Sequence, residues 1–346
     1  MSIRFLSRLV FVSLLASPQV ACSQSPSPQP PARAEDAITE ALIRRHVNVI
    51  ADDSMLGRNT PSRGLDLTAE YVAAHFKRLG LKPGGDSGTY IQRYPLGRFP
   101  TARERRSPGP GGFDSLSAPN TVGILPGTDP VLRDEYIVVS AHMDHVGVNS
   151  ASMKDSIWNG ADDDASGTAG VLALAEAFAD APTRRSIIFL TVSGEEHGLW
   201  GSAWFASNPP VPINRIVANF NLDMIGRNWK DSIVVIGIEH SDLGATLAKV
   251  NAAHPELGMT AMRDPWPQEN FFGRSDHYNF ARRGIPALFF FNGVHADYHQ
   301  PSDSPDKIDA EKEARVVRLI FHVAAAVGNA QARPKWNPES YKKIVK

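Results

Sequence analysis

The sequence predicts an α/β protein: one three-layer α/β/α domain with a mixed, mostly parallel central sheet. Short apolar runs of strand length alternate with segments of helical spacing along most of the chain. Strands that are apolar throughout belong to a sheet that helices cover on both faces. The 346 residues, 42% of them hydrophobic and 21% charged, are enough to bury a large core without disulfides or other staples.

Charge and cysteine content exclude several classes of protein. The 36 basic residues balance 37 acidic residues, so nothing indicates the strongly basic face that a nucleic-acid partner demands. No apolar run reaches the about 20 residues needed to cross a bilayer as a helix. The single cysteine, Cys22, excludes an intramolecular disulfide, a cysteine-based metal site and a thiol nucleophile in the folded domain.

Residues 1–22 predict a signal for export from a bacterial cytoplasm. Two arginines precede a short apolar run, and Cys22 closes the segment as in a bacterial lipoprotein signal. A plain secretory signal cleaved nearby is the alternative. We expect a periplasmic, lipid-anchored or secreted protein whose only membrane attachment is a lipid on Cys22. Residues 23–35 are then a Pro/Ser-rich linker ahead of the folded domain, 36–346.

Two helices are expected to open the folded part of the chain. Apolar residues recur at helical spacing over 36–50 and 67–79, and the second segment ends at Gly80, a residue that commonly terminates helices. Apolar runs at 120–125 and 136–140 then predict the first two strands of the sheet.

The same alternation continues through the rest of the chain. A helix over 168–180 is expected to lead to a strand at 186–192. Asp309 is a preferred capping residue and places the start of the last helix directly after it. Further strands are expected at 217–222, 233–238 and 287–291.

Polar side chains collect where the predicted strands end, which is where open α/β sheets place their sites. Clustered carboxylates repel and raise each other's pKa unless a cation neutralises them. With imidazoles among them, the matching cation is zinc, with cobalt or manganese as substitutes. The segments are AHMDH (141–145), NGADDDASG (159–167), EEH (195–197), NLDM (221–224) and DYH (297–299).

The number of candidate ligands indicates two ions rather than one. Five segments present His, Asp, Glu, Asp and His in turn, whereas one catalytic zinc ion usually takes three protein ligands. Two ions that share a bridging carboxylate, about 3.5–4 Å apart, would use all five. In the pair Glu195-Glu196, one acid can bind metal while its neighbour stays free as a base. The motifs of helical zinc proteases, serine hydrolases and P-loop enzymes are absent from the sequence.

Taken together, these segments resemble the M28 family of zinc exopeptidases, which includes bacterial leucyl aminopeptidases and glutamate carboxypeptidases. The resemblance covers about 38 to 326 and rests on SAHMDHVG, NGADDDASGTAG, SGEEHG, NLDMIGR and DYHQPSD. It implies metal-assisted hydrolysis of a terminal bond in a peptide substrate, first of all by an aminopeptidase. The ligand roles also follow from the resemblance: His142 and Asp223 would hold one zinc ion, Glu196 and His299 the other, and Asp163 would bridge them.

The resemblance implies three catalytic roles as well. Glu195 corresponds to the general base that takes a proton from the attacking water and returns it to the leaving amine. Asp144 corresponds to the acid that fixes the ring orientation of His142, two residues before it. Tyr298 matches the tyrosine that donates a hydrogen bond to the oxyanion in the carboxypeptidase branch.

Several neighbouring residues are expected to shape the site without binding metal. Asp162 and Asp164 have no metal role in this mapping and are expected to cap and hydrogen-bond their loop. His145 matches no ligand position, which favours a structural or supporting role. Phe271 and Phe272 precede the Ser-Asp-His segment, where they either bury a loop or form the wall of an apolar side-chain pocket.

Three alternatives remain open at this point. A carboxypeptidase of the same family needs a cationic clamp for the terminal carboxylate, which Arg274 could supply. A glutaminyl cyclotransferase of related fold would use a single zinc ion and lack part of the ligand set. A non-catalytic surface lipoprotein on the same fold would hold no ion. Two bound ions per chain would favour a peptidase, one ion the cyclotransferase, and no ion the surface lipoprotein.

Overall fold

The computed structural model describes residues 34–98, 116–149 and 155–346. The predicted export signal with Cys22, and all of the predicted linker except 34–35, lie outside these residues. Over the described ranges, no helix combines the length and the apolar character needed to span a membrane.

Every helix that the sequence predicts is present in the described chain, with other helices between them. Thr39 caps the first helix by accepting a hydrogen bond from the Leu42 amide at 3.1 Å. Asp309 caps the last predicted helix in the same way, accepting from the Lys312 amide at 3.1 Å. The α-helices are α1 (Glu40–Ile50), α2 (Arg63–Arg78), α3 (Gly167–Asp180), α4 (Trp200–Ser207), α5 (Leu243–Ala253), α6 (His277–Ala281), α7 (Ala310–Asn329) and α8 (Pro338–Ile344).

The strands include every predicted one and several shorter ones. The strand predicted at 186–192 has those bounds, and the others differ from their predicted bounds by three residues or fewer at either end. The strands are β1 (Lys82–Pro83), β2 (Ile91–Pro95), β3 (Ser117–Leu125), β4 (Tyr136–His142), β5 (Gly147–Val148), β6 (Ile157–Trp158), β7 (Ser186–Val192), β8 (Ile216–Leu222), β9 (Ser232–Ile236), β10 (Thr260–Met262) and β11 (Ala287–Phe290).

One mixed sheet of nine strands crosses the described part of the protein, in the order β1-β3-β7-β4-β8-β11-β9-β10, with β2 also paired to β3. Its centre, β7-β4-β8-β11, is parallel. Antiparallel pairing of β3 with β7, and of β9 with β11, flanks this centre. Because β1 and β2 are antiparallel to β3, they run in the direction of the central four strands. The predicted mixed, mostly parallel sheet is confirmed.

Helices cover both faces of the sheet, as the continuously apolar strands predict. On one face, Phe189 and Phe220 pack in a core with side chains of α1, α3 and α7. On the other face, Ile188 and Leu190 pack with Phe205 of α4 and Phe280 of α6. The parallel centre of the sheet therefore has only its ends open to solvent and loops. The carboxyl ends of β4, β7, β8 and β11 meet at one edge, where the candidate site lies.

Candidate metal centre

The structure brings the five predicted metal ligands together at the carboxyl edge of the parallel strands. His142 is the last residue of β4, and Asp223 directly follows β8. Glu196 lies four residues beyond the end of β7, and Asp163 lies in the turn Ala161–Ser166 that leads into α3, with non-helical backbone angles. His299 reaches the same edge from the loop between β11 and α7.

Asp163 lies between two groups of candidate ligand atoms. Its Oδ1 is 3.2 Å from Nε2 of His142, which is itself 3.6 Å from Oδ1 of Asp223. Its Oδ2 is 3.0 Å from Nε2 of His299, which is also 3.0 Å from Oε2 of Glu196. We name these the first group (His142, Asp163, Asp223) and the second group (Asp163, Glu196, His299). Each carboxylate oxygen of Asp163 faces one group, which is the arrangement of a bridging carboxylate.

His145 also lies against the second group, although sequence reasoning placed it outside the ligand set. Its Nδ1 is 2.9 Å from Oε1 of Glu196 and 3.6 Å from Oδ2 of Asp163, and the residue has no solvent exposure. The only sequence signal for it is position, since His145 follows β4 in the same AHMDH segment as His142.

The chemistry of the second group fits a metal ion. Three of its polar atoms and one of the adjacent His145 are buried and lie close together, yet they make no hydrogen bond of good geometry: Asp163 Oδ2, Glu196 Oε1, His299 Nε2 and His145 Nδ1. Buried polar atoms without partners cost free energy, so native proteins seldom leave them in this state. Imidazole nitrogens and carboxylate oxygens are ligands that zinc accepts.

The charges in the site are strongly interdependent. Burial lowers the pKa of His142, but the carboxylates of Asp223 and Asp164 outweigh burial and raise that pKa well above its usual value. Burial raises the pKa of Asp163, but the imidazoles of His142, His299 and His145 beside its carboxylate outweigh burial and hold that pKa well below the usual range. Burial dominates at Glu195, raising its pKa well above the usual value, with Asp223 among the acids that add to the effect.

Asp144 contacts both His142 and the segment that carries the candidate base. Its backbone carbonyl accepts a hydrogen bond from Nδ1 of His142 at 3.2 Å, while its carboxylate lies 3.6 Å from the same nitrogen. This contact leaves Nε2 of His142 free to bind metal. The carboxylate accepts hydrogen bonds from the Thr60 hydroxyl at 2.9 Å and the Glu195 amide at 3.3 Å. Sequence reasoning identified Asp144, but it missed Thr60.

Asp223 is positioned by residues that sequence reasoning did not identify. The Ser275 hydroxyl donates a hydrogen bond to Oδ2 of Asp223 at 2.7 Å, which leaves Oδ1 facing His142. Ser275 in turn accepts a hydrogen bond from the Asn221 amide at 2.9 Å. Asn221 accepts from the Ser140 hydroxyl at 2.7 Å, so the chain of hydrogen bonds begins inside the sheet.

Asp164 and Asp162 bind backbone rather than the ligand groups, as the sequence analysis expects. Asp164 accepts hydrogen bonds from the amides of His142 (3.1 Å), Gly167 (2.8 Å) and Met224 (3.2 Å). Both of its oxygens are therefore occupied, although one lies 4.0 Å from Nε2 of His142. Asp162 accepts from the Gly226 amide at 2.7 Å.

A pocket opens above the first group and includes the predicted catalytic residues Glu195 and Tyr298. The Tyr298 ring stacks on His299 with ring centroids 4.0 Å apart, and burial together with nearby carboxylates raises the pKa of its hydroxyl. Phe272 lies outside the pocket and packs against His240 and His277, so only Phe271 of this pair fits the predicted apolar wall. The lining residues are His142, Asp163, Glu195, Asp223, Met224, Phe271, Arg274, Phe289, Phe291, Val294 and Tyr298.

A third cluster with ligand-type side chains lies on α1, α2 and α3, and comprises His46, His75 and Glu176. Arg78 already supplies a cation there. Its guanidinium is 3.3 Å from the Glu176 carboxylate and 3.2 Å from Nδ1 of His75. We therefore interpret this cluster as a set of contacts between packed helices and not as a metal site.

The fold and the ligand groups define a metal-binding α/β protein with its site at the carboxyl edge of a parallel sheet. The sequence profile of Peptidase family M28 matches residues 120–324, which is more than half of the chain. The chain belongs to this family, and the resemblance found in the sequence is confirmed.

Individual relatives agree with this assignment. Aminopeptidase YwaD of Bacillus subtilis is 28% identical over 242 residues, covering 68% of this chain and 49% of the relative. A probable zinc metalloprotease of Pyrenophora tritici-repentis is 23% identical over 328 residues, covering 86% of this chain and 65% of the relative. The chain thus spans about half to two thirds of the length of these relatives.

Solved structures show the same fold. The structure of BSAP, a zinc aminopeptidase from Bacillus subtilis, superimposes with a TM-score of 0.64 at 16% sequence identity. The superposition covers 89% of this chain and 98% of BSAP. The predicted three-layer α/β/α fold is thereby confirmed.

Proposed function

We propose that this protein is a zinc-dependent exopeptidase, in the first place an aminopeptidase, acting on peptide substrates. The observation that carries the proposal is the pair of ligand groups that share Asp163 beside a pocket containing Glu195. The names of the relatives, an aminopeptidase and a zinc metalloprotease, support the same class of reaction.

The ligand groups would hold two zinc ions, one through His142 and Asp223 and the other through Glu196 and His299, and Asp163 would be shared by both. When bound, the ions supply Lewis acidity that polarises the scissile carbonyl and makes water a stronger acid. Cobalt and manganese are the expected substitutes, because they accept the same nitrogen and oxygen ligands.

The remaining residues of the pocket supply proton transfer and charge stabilisation. Glu195 lines the pocket beside the ligand groups and would take a proton from the attacking water and return it to the leaving amine. Tyr298 lines the same pocket and would donate a hydrogen bond to the oxyanion, an interaction often worth about 3 kcal/mol in the transition state. The backbone carbonyl of Asp144 holds the ring of His142, and its carboxylate holds the amide of Glu195.

The pocket wall favours an apolar side chain beside the scissile bond. Met224, Phe271, Phe289 and Phe291 line one part of it. Arg274 lies at the same pocket, with its guanidinium 4.7 Å from the Phe271 ring centroid. This placement keeps a carboxypeptidase as the second candidate, since a guanidinium binds a terminal carboxylate well.

Hydrolysis of leucine-p-nitroanilide and its N-acetylated counterpart by the zinc-loaded protein tests the proposal. We expect cleavage of the free-amine substrate alone and loss of at least about 100-fold in kcat for Glu195→Gln. Cleavage only of peptides with a free carboxyl terminus, abolished by Arg274→Ala, would support the carboxypeptidase instead. Cyclisation of N-terminal glutamine by a protein with one zinc ion, or absence of bound metal and activity, would contradict both.

We also propose that residues 1–22 direct export and that Cys22 carries a lipid. The support is the sequence pattern alone: basic residues, an apolar run and Cys22 at the end of the segment. Detergent-phase partitioning of the full-length chain expressed in a bacterium tests this. Partitioning that is lost in Cys22→Ala supports the lipid anchor, whereas an aqueous-phase protein contradicts it.

A further inference from the structure

We propose that His145 is a fourth protein ligand of the ion in the second group. That ion would then be held in a closed site, whereas the ion of the first group keeps a position open to the pocket. The inference rests on the proposed metal centre and adds a residue and an asymmetry to it.

The spacing of the ligand atoms is the first support. Zinc bonds of about 2.0–2.2 Å place neighbouring ligands of a tetrahedron about 3.3–3.6 Å apart. Nδ1 of His145 lies 2.9 Å from Glu196 and 3.6 Å from Asp163. Nε2 of His299 lies 3.0 Å from Oδ2 of Asp163 and 3.0 Å from Oε2 of Glu196, whereas His145 faces Oε1 of the same Glu196 carboxylate. One ligand atom from each of the four residues lies within 4.8 Å of the other three, which is close enough for all four to surround one ion.

The state of the His145 ring is the second support. The side chain is fully buried, and neither ring nitrogen makes a hydrogen bond of good geometry, although Nδ1 lies 2.9 Å from Oε1 of Glu196. A buried structural histidine normally has a partner for at least one nitrogen, because leaving both unsatisfied costs free energy. A bond from Nδ1 to a metal ion removes that cost at the atom that faces Glu196 and Asp163.

The local backbone is built to accommodate this ring. Gly160 has φ +56°, and a Cβ at that position would come within 2.5 Å of the His145 ring and 2.2 Å of the Asp163 carbonyl. Only glycine leaves room there without strain. The His145 amide donates a hydrogen bond to the Arg58 carbonyl at 3.3 Å, which fixes the start of the side chain. The ring thus lies in a fitted space directly beside the bridging acid.

The pocket distinguishes the two groups. All three residues of the first group line it, whereas Asp163 is the only member of the second group that does so. Structural zinc sites use four protein ligands, and catalytic sites use three and leave one position for water or substrate. We therefore infer that the second group holds the tighter ion and that the first group holds the ion that meets substrate.

Metal titration of the metal-free protein by calorimetry, with zinc alone, tests the ligand assignment. We expect two dissociation constants, and a weakening of the tighter one by at least about 10–100-fold in His145→Asn, with the weaker one changed by less than about threefold. His197→Asn is the control, because His197 follows Glu196 but bonds Asn59 at 3.0 Å and stacks on Trp200. An unchanged tighter constant in a folded His145→Asn protein would overturn the proposal.

X-ray absorption of the wild-type protein with one equivalent of zinc needs no variant. Two imidazole ligands support His145 together with His299, and a single imidazole overturns the assignment. The proposed function fails separately: a protein that binds two ions but cleaves no peptide contradicts the peptidase and leaves the ligand count intact. A wild-type protein that binds no zinc overturns both.

Discussion

At the scale of single residues, the site depends on side chains that orient the ligands rather than on the ligands alone. Asp223 has one oxygen toward His142 and the other held by Ser275. Without that hydrogen bond the carboxylate can rotate, and its affinity for metal falls. Sequence patterns identify the ligand because it ends an apolar strand, but Ser275 comes from a loop 52 residues away and only the fold shows the contact.

Ser275→Ala tests this dependence. We expect zinc affinity of the first group to fall by about 10–100-fold, the usual effect of losing a residue that orients a ligand. Competition with a chromogenic chelator measures it. Ser207→Ala is the control, since Ser207 lies on the exposed end of α4 and bonds the Ala203 carbonyl. Equal zinc affinity in wild type and Ser275→Ala would show that Asp223 does not need the hydroxyl.

Phe271 and Phe272 are adjacent but contact different surroundings, so they form a matched pair for substrate preference. Phe271 lines the pocket and packs on Phe291 with centroids 4.9 Å apart. Phe271→Ala should lower the ratio of kcat/KM for leucine over alanine substrates by about tenfold, the value of a few methylene contacts. Phe272→Ala should leave the ratio unchanged. The same ratio in both variants would contradict the assignment of Phe271 to the substrate wall.

At the scale of elements, the sequence predicts the helices and strands that are long enough to show a periodic pattern of apolar residues. The strand at Ser186–Val192 and the helix at Gly167–Asp180 are long and apolar, and their predicted bounds are confirmed to within a residue. The prediction lacks β1, β2, β5, β6 and β10, which have two to five residues. Strands this short are stabilised by pairing with a neighbour, which no local pattern encodes. Helices α4, α5, α6 and α8 are also missing from the prediction. Three of them have eight residues or fewer, and α5 has a small alanine-rich face that gives a weak apolar stripe.

Arg58 connects several of these elements. It is fully buried and donates hydrogen bonds to the carbonyls of Ile50 at the end of α1, Met143 after β4, and Asn159 and Gly160 before the Asp163 turn. Burial lowers its pKa to about 10, so the guanidinium stays charged at neutral pH. Because one side chain satisfies carbonyls from three segments, its removal affects all of them.

Arg58→Met should therefore destabilise the metal-free protein by about 3–5 kcal/mol, because it leaves several buried carbonyls without donors. Urea unfolding followed by circular dichroism measures this. Arg63→Met, which removes a surface ion pair with Glu70, should change stability by less than about 1 kcal/mol. A similar loss in the two variants would show that the buried hydrogen bonds of Arg58 add little.

At the scale of the whole molecule, four parallel strands deliver four of the five ligands to one edge, and the turn before α3 brings Asp163 to the same edge. The sequence predicts this edge, since those four ligands come after apolar strands. It does not predict His145, Thr60 or Ser275 as members of the site, because their contacts join segments that are distant in sequence or match no motif. Buried histidines away from the site make the stability of the fold depend on pH, because burial lowers the pKa of His46 and of His75.

His46 on α1 gives the clearest pH prediction. Burial, with His75 and Arg45 nearby, lowers its pKa to about 3, whereas an unfolded histidine titrates near 6.5. Below pH 6.5, His46 is therefore protonated in the unfolded chain but stays neutral in the folded protein. The contribution of His46 to the free energy of unfolding is complete above that pH and is lost as pH falls. Between pH 7.5 and 5.0 this one group should cost about 2 kcal/mol, which is 1.36 kcal/mol per pH unit below 6.5.

Urea unfolding of the zinc-saturated protein at the two pH values measures this loss. His46→Phe should reduce the loss by about 2 kcal/mol, whatever its effect on absolute stability, because the titrating group is gone. Tyr71→Phe is the control, since it removes the 2.7 Å hydrogen bond to Nδ1 of His46 but keeps the imidazole buried. Its stability should fall with pH as steeply as the wild-type stability does. Equal losses in wild type and His46→Phe would mean that His46 is protonated in the folded protein, and the acid sensitivity of the fold would then arise elsewhere.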